Sequence, residues 1–395
     1  MDNLFSGDAL WRPVAIGGGG WVTGMDIAPD GTMVARTDTY GAYLWTGSSW
    51  QQLVTAASMP NGTASAHGVY EIRVAASDSN ILYMALSDGV YKSVDKGQQW
   101  TKTSFPSTHF DPNASNRMDG QKIAVDPTNP NVVFAGTQNN GLWVTRDGGG
   151  SWQKITAVPQ GANTNDPGLT GIVIQGSTIY VGTAGSGVYS SKDGGYSWKS
   201  IGGPADIGHA AIAPDGSYYA SGNTDTALWK FANGAWSKLI ANNVHSVSID
   251  PFDPQHVVVV NDGGAVQESW NGGASWGGWN WANQLSSATD VPWLETTSRY
   301  MATGSFAFDP TVQGKLWQSS GVGVWSTELP KNFLWNTPVV WNSYSEGIEQ
   351  LVTNEILAPA GGTAVFASWD RAFIEKSSLD AYATKYSGGD FSAGW

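Results

Sequence analysis

Short alternations of apolar and polar residues recur along the whole chain, and Gly, Pro or Asp residues bound most of them. In residues 123–137 (IAVDPTNPNVVFAGT) and 247–260 (VSIDPFDPQHVVVV), an alternating run ends in Asp-Pro, a polar turn with a second Pro follows, and a β-branched run returns. Alternation with period two between such turn residues predicts paired antiparallel strands.

A second phrase follows several of these strand pairs and has the pattern Ser/Thr-x-Asp-x-Gly-x-x-Trp. The Asp can accept backbone N–H groups of its own turn, the Gly supplies a positive φ, and the Trp packs under the hairpin. Because hairpin chemistry accounts for every position, we interpret these Asp and Trp residues as folding devices rather than metal ligands or acids. The pattern occurs at SVDKGQQW (93–100), TRDGGGSW (145–152), SKDGGYSW (191–198) and, with Asn for Asp, SWNGGASW (269–276).

A short Gly-aliphatic-aromatic strand precedes each hairpin, and weaker copies of it occur elsewhere. The copies begin at positions 41, 89, 141, 187, 227, 264 and 323. Their spacing of roughly 40 to 60 residues is the period of one four-stranded propeller blade. The repeat therefore predicts an all-β, seven-bladed β-propeller.

Composition narrows the classes of partner. The 395 residues carry a formal net charge of −13, which disfavours nucleic acid and anionic lipid surfaces as partners. The chain has no Cys and no apolar run long enough for a membrane helix, so no membrane insertion is expected, and its start does not resemble a signal peptide. The five His residues show no metal-binding spacing, and we expect no metal or cofactor.

Hairpins of this kind, known as Asp boxes, occur in sialidases, sortilin-type receptors and several glycosidases, so they name no function by themselves. Residues 11–45 closely resemble the opening of glycoside hydrolase family 74, the xyloglucanases, apart from Tyr40, where the family usually has Gly. Residues 116–152 resemble the family's second-blade signature, with Gln121 where Glu is common. Two shorter phrases also match, Val291-Pro292-Trp293-Leu294 and Gly347-Ile348-Glu349.

The resemblance implies inverting hydrolysis of a β-1,4-glucan backbone by two Asp residues on two facing propellers. By resemblance, Asp38 in the Ala-Arg-Thr-Asp segment is the general base. Residues 25–45 align with residues 354–376, which sets Asp370 opposite Asp38 and makes it the candidate general acid. Burial beside Trp369 would raise the pKa of such an acid, whereas a salt bridge from Arg371 would keep it ionised.

The same alignment predicts a division of the chain. Residues 1–350 would form the seven-bladed propeller. Residues 351–395 would resemble the first blade of a second propeller, or serve as a closing segment. Because the family builds its cleft between two propellers, a second propeller domain or an assembly partner is a possible requirement for a complete site.

Substrate contacts are expected from aromatic rings outside the hairpins, since sugar rings stack on flat apolar faces. Arg117 and Gln121 could bond sugar hydroxyl groups. The Gly-rich turn at residues 17–20 predicts a close backbone approach, either to a neighbouring strand or to a sugar. The aromatic candidates are Trp21, Tyr40, Trp293 and Trp369. Tyr40 and Trp369 flank the two Asp candidates, whereas a place in the core is the alternative for the other two.

The leading interpretation is a secreted or virion-associated xyloglucanase-type hydrolase that acts on a polysaccharide or cell-surface glycan. The alternative is a non-catalytic glycan-binding or scaffolding propeller, such as a virion tail or surface adhesin component. A sialidase is disfavoured, because that chemistry needs several Arg residues and a Tyr nucleophile, and no Phe/Tyr-Arg-Ile-Pro segment occurs near the start of the chain.

Overall fold

The chain folds into short β-strands joined by tight turns. The structure is a computed structural model that describes residues 14–18, 20–60, 68–106, 109–161, 168–280, 284–296, 302–329 and 336–386. Apart from one 3₁₀ helix at Pro292–Thr296, all regular elements in these ranges are strands. The all-β prediction is confirmed.

The strands of the described residues are arranged in eight sheets, and consecutive strands of a sheet pair antiparallel. In the first sheet, for example, Met25 lies opposite Ala35. The first four sheets contain β1 (Val22–Ile27), β2 (Met33–Thr37), β3 (Ala42–Trp45) and β4 (Trp50–Gln52); β5 (Glu71–Val74), β6 (Leu82–Leu86), β7 (Gly89–Ser93) and β8 (Thr101–Lys102); β9 (Ile123–Asp126), β10 (Asn129–Gly136), β11 (Leu142–Thr145) and β12 (Gln153–Ile155); and β13 (Leu169–Gln175), β14 (Thr178–Thr183), β15 (Gly187–Ser191) and β16 (Lys199–Gly202).

The later sheets vary more in size. The seventh gains an extra strand, β24, which pairs parallel with β28. The later sheets contain β17 (Ile207–Ile212), β18 (Tyr218–Gly222), β19 (Leu228–Ala232) and β20 (Ala235–Ile240); β21 (Ser246–Asp250), β22 (Asp253–Val260) and β23 (Val266–Ser269); β24 (Gln284–Ser287), β25 (Thr303–Phe308), β26 (Lys315–Ser320), β27 (Gly323–Glu328) and β28 (Val339–Ser343); and β29 (Thr353–Leu357), β30 (Ala364–Ser368) and β31 (Phe373–Lys376).

The first strands of successive sheets lie beside one another. Strand β1 contacts β5, and the contacts continue through β9, β13, β17 and β21 to β25. Strand β25 contacts β1 in turn, so the order of sheets closes on itself. The inner strands therefore surround a common axis.

Apolar side chains fill the spaces between neighbouring sheets. Between the first two sheets, Val34 and Leu53 pack with Ile72 and Met84 in one cluster. The cluster beside the seventh sheet also takes in Phe366 of β30, together with Trp325. The tail sheet β29–β31 therefore shares a core with the ring of sheets.

The hairpins with the Ser/Thr-x-Asp-x-Gly-x-x-Trp pattern make the same hydrogen bonds in each copy. In the third sheet, the Thr145 hydroxyl donates to Asp147 Oδ1 at 2.8 Å, and the Ser151 backbone N–H donates to the same oxygen at 2.9 Å. The Ser151 hydroxyl also binds Asp147 and lowers the pKa of that carboxyl. These carboxylates are satisfied inside their own turns, as expected of a folding device.

The Gly-rich turn near the start of the described chain is a site of close backbone packing. A Cβ on Gly18 would lie 2.6 Å from the Val322 carbonyl oxygen, and one on Gly20 would lie 2.5 Å from both Cγ and the carbonyl oxygen of Gln350. No larger residue fits without displacement of the neighbouring backbone. The predicted close approach to a neighbouring segment is confirmed at these two positions; Gly19 lies outside the described residues.

Candidate active site

Asp38 directly follows strand β2, at the end of the sheet where β1 begins. Its backbone N–H donates to the carbonyl of Trp21 at 3.4 Å, and Trp21 immediately precedes β1. The residue is 9% exposed. Gly68 makes room for it, because a Cβ there would fall 1.8 Å from the Asp38 carbonyl oxygen.

Three groups surround the Asp38 carboxylate. Arg117 Nε lies 3.1 Å from Oδ2, while the Thr39 hydroxyl and the Gln350 amide each donate to Oδ1 at 3.1 Å. Burial raises the pKa of Asp38 to about 6, although Arg117 and Thr39 act in the opposite direction. The carboxylate is thus held in place yet remains titratable close to neutral pH.

Asp370 occupies the corresponding place in the tail sheet, two residues beyond the end of β30. Its φ of +61° lies in the left-handed region, which is costly for a residue with a Cβ and is found more often at functional sites. The preceding residue, Trp369, is fixed by a hydrogen bond from its N–H to the Val352 carbonyl at 2.9 Å. The position predicted from the alignment with Asp38 therefore lies at the end of a second strand in both sheets.

Arg371 contacts the backbone of Asp370 and also acts on its carboxyl through its charge. Its Nη1 donates to the Asp370 carbonyl at 2.7 Å. Burial raises the pKa of the Asp370 carboxyl, and the charges of Arg371 and Arg117 only partly offset this effect. The Asp370 carboxyl consequently stays protonated to a higher pH than a free Asp, as a general acid requires.

Arg117 joins the two carboxyl groups electrostatically. Its charge lowers the pKa of both Asp38 and Asp370, and the charge of Asp370 in turn raises the pKa of Asp38. The guanidinium also stacks over the Trp21 ring, 4.3 Å from the ring centre. The structure therefore brings together four of the predicted site residues: Trp21, Asp38, Arg117 and Asp370.

A buried arginine on β2 supports the loop that carries Arg117. Arg36 donates to the backbone carbonyls of Arg117 at 3.0 Å and Asp119 at 2.9 Å. Its own charge is balanced by Glu71, 3.1 Å away, and both side chains are almost fully buried. Neither Arg36 nor Gln350 was predicted from the sequence, although a charged residue directly after the apolar run Met33–Ala35 was a signal for Arg36.

The other predicted contacts divide into two groups. Trp369 is 41% exposed next to Asp370, and Tyr40 is half-buried two residues after Asp38. Trp293, by contrast, is fully buried in the core beside the seventh sheet, where its indole donates to the Ile16 carbonyl. A ring without exposed surface has no face on which a sugar can stack.

Gln121 also lies away from the carboxyl groups. Its amide donates to the Ala210 carbonyl at 2.9 Å. It lines a cavity of about 370 Å³ on the axis of the ring, together with Asp26 and Arg73. The structure thus places Gln121 in the axial cavity rather than beside Asp38.

Within the ranges that the structure describes, no group of three or more His, Cys, Asp or Glu residues could hold a metal ion. No helix in those ranges is both long and apolar enough to cross a membrane.

Several known proteins resemble this chain in sequence. No protein-family model matches it. A probable oligoxyloglucan-reducing end-specific xyloglucanase of Neosartorya fischeri is 25% identical over 89% of this chain and 56% of its own length. A xyloglucanase of Acetivibrio thermocellus is 31% identical over 40% of this chain and 20% of its own length.

Solved structures of family 74 enzymes match a larger part of the chain than the curated sequences do. A glycoside hydrolase family 74 enzyme of Niastella koreensis matches with a TM-score of 0.83 and 25% identity, covering 96% of this chain and 62% of that one. A family 74 xyloglucanase of Xanthomonas campestris has the same TM-score at 24% identity, covering 97% and 63%, and supports the fold. The chain spans about half the length of the Neosartorya fischeri relative. The sequence matches to xyloglucanases and the structural match to a family 74 enzyme together support a place for this chain in glycoside hydrolase family 74.

Proposed function

We propose that the protein hydrolyses the β-1,4-glucan backbone of xyloglucan with inversion of configuration, using Asp38 as general base and Asp370 as general acid. The observation that carries this proposal is a pair of carboxyls at matching strand ends, Asp38 buried and Asp370 half-buried, with Arg117 acting on both. The relatives named as xyloglucanases support the substrate class.

Burial raises the pKa of both carboxyls, so the two roles are assigned from the family resemblance, and the surroundings of each carboxyl are compatible with its role. A general base must be ionised, and Asp38 has a guanidinium nitrogen 3.1 Å from one oxygen and two hydrogen-bond donors on the other. A general acid must be protonated before it acts, and burial raises the pKa of Asp370. In an inverting enzyme the two carboxyls flank the sugar about 6.5 to 9.5 Å apart, which leaves space for the attacking water.

The proposal also covers the architecture. The seven sheets whose first strands form a closed ring would be the seven blades of one propeller, and the repeated hairpins would be its Asp boxes. The tail sheet β29–β31 would be the first blade of a second propeller, with the substrate cleft between the two. Because xyloglucan is a polymer, we propose that the protein acts outside the cell or on a virion surface.

Substrate binding would depend on aromatic rings beside the carboxyls. Trp369 exposes 41% of its surface, and Trp21 is held by its contact with Arg117. Tyr40 lies in the turn that follows Asp38. These rings would stack on glucose or xylose faces.

Reducing-sugar release from tamarind xyloglucan tests the proposal. The variants Asp38→Ala and Asp370→Ala are compared with the wild type, and Asp147→Ala serves as the control because that carboxylate is used within its own hairpin. Loss of either proton-transfer group should lower kcat about 10²- to 10⁴-fold, while the control retains activity. Equal activity of wild type and Asp38→Ala would remove Asp38 from the mechanism. Xyloglucan binding by the wild type without turnover would instead favour a glycan-binding propeller.

A further inference from the structure

The segment that connects the ring of sheets to the tail sheet sends one side chain directly to Asp38. Gln350 is 1% exposed, and its Nε2 donates to Asp38 Oδ1 at 3.1 Å across a sequence separation of 312 residues. A buried amide that donates to a carboxylate stabilises the ionised form of that carboxylate.

The backbone on either side of Gln350 is fixed. The Tyr43 hydroxyl donates to the Glu349 carbonyl at 3.1 Å, and the Glu349 carboxylate accepts the N–H groups of Ile16 at 2.9 Å and Gly17 at 3.1 Å. The close approach of Gly20 to Gln350 completes the packing. The amide consequently has little freedom to move away from Asp38.

The same segment reaches the second carboxyl-bearing strand. Two residues after Gln350, the Val352 carbonyl accepts the N–H of Trp369, which immediately precedes Asp370. One short stretch of chain is therefore bonded to the Asp38 side chain at one end and to the backbone before Asp370 at the other.

Only one atom of the Gln350 side chain forms a hydrogen bond within the described residues, so its effect on Asp38 can be tested without disturbing another polar contact. Within the described residues, Oε1 is buried and has no hydrogen-bond partner, so the contact with Asp38 is the polar interaction that orients the amide. Removal of the donor Nε2 would act on Asp38 without breaking a second side-chain hydrogen bond.

We propose that Gln350 is a positioning residue, which orients the Asp38 carboxylate for its role as base and ties it to the strand that carries Asp370. This inference rests on the proposed function. It predicts that Gln350 affects the ionisation of Asp38 and the rate of reaction more than it affects substrate affinity.

The test is the pH dependence of xyloglucan hydrolysis by Gln350→Met, which keeps the side-chain length and removes the donor. A hydrogen bond to a charged group corresponds to a shift of about one pH unit and a rate change of about 10-fold. We expect the acid limb of kcat/KM to move up by about that amount and kcat to fall by about that factor, with KM changing less than threefold. Gln350→Glu adds a like charge beside Asp38 and should move the acid limb to still higher pH. This variant also provides the test if Gln350→Met does not fold.

Gln318→Met is the matched control. Gln318 is 2% exposed, and its amide donates to the Thr303 hydroxyl at 2.8 Å, so this variant also loses a buried amide donor. It should leave the acid limb where the wild type has it. If folded Gln350→Met and Gln350→Glu keep the wild-type limb and kcat while Asp38→Ala is inactive, the positioning role is wrong and the proposed function stands. If the wild type itself releases no reducing sugar, both are overturned.

Discussion

Replacing Asp38 with Asn should make the protein more stable at neutral pH while removing its activity. Burial raises the pKa of Asp38 from 3.8 to about 6 in the folded protein. A folded-state pKa above the unfolded value means that ionisation opposes folding. The shift of about two units corresponds to about 3 kcal/mol at any pH well above 6, and Asn does not carry this penalty.

The effect has a definite pH dependence. Below the unfolded pKa, both states of the wild type are protonated at Asp38 and the two proteins should differ little. The stability gap should open as the pH rises from about 4 to about 6 and then level off. Linkage gives about 1 kcal/mol at pH 4.5 and about 3 kcal/mol at pH 8.

Denaturant unfolding of both proteins at pH 4.5 and pH 8 measures this gap. Asp147→Asn is the control with the opposite sign, because hydrogen bonds from Ser151 lower the pKa of Asp147 and its ionised form therefore supports the fold. That variant should be less stable than the wild type at pH 8. The reasoning is refuted if Asp38→Asn is no more stable than the wild type at pH 8, or if its advantage does not shrink at pH 4.5.

Three further predictions follow from the surroundings of the site. Arg117→Met should raise the pKa of Asp38 above 6, so the acid limb of the pH profile of kcat/KM should move to higher pH; an unmoved limb would contradict the ion pair. Trp369→Ala should raise KM for xyloglucan about 5- to 10-fold, because the exposed ring would no longer stack on a sugar. Trp293→Ala should instead lower the free energy of unfolding by about 3 to 5 kcal/mol and leave KM of the folded protein unchanged, because this ring is buried. Initial-rate kinetics and denaturant unfolding distinguish the two effects. Glu71→Gln should cost about 3 to 5 kcal/mol in unfolding experiments because it leaves the buried Arg36 uncompensated, and wild-type stability would count against a structural ion pair.

The repeated pattern was sufficient to predict the strands and hairpins. Alternating runs and Gly-containing turns depend on contacts within one sheet, so they leave a local signal, as in the strand that begins at Ile123 and its return to Gly136. The alignment of the two ends of the chain also predicted corresponding strand ends for Asp38 and Asp370, because the strand-turn-strand pattern occurs once around each residue.

The supporting residues could not be predicted in this way. Gln350 reaches Asp38 from 312 residues away, and Arg36 binds the carbonyl of Arg117 from another sheet. Such contacts depend on closure of the ring, which leaves no periodic trace in the sequence. The same reason explains why the sequence left Trp293 between a core position and a sugar contact, whereas the structure buries it in the core shared with the tail sheet.

Observation of the first product by proton NMR during xyloglucan hydrolysis tests the central claim most directly. If Asp38 activates water on the face opposite the leaving group protonated by Asp370, each cut of a β-linkage must first release the α-anomer of the new reducing end. The account predicts that the α-anomer signal appears first and then mutarotates, and that neither Asp38→Ala nor Asp370→Ala produces it at the wild-type rate. Initial release of the β-anomer, or an unchanged rate in either variant, would contradict the account.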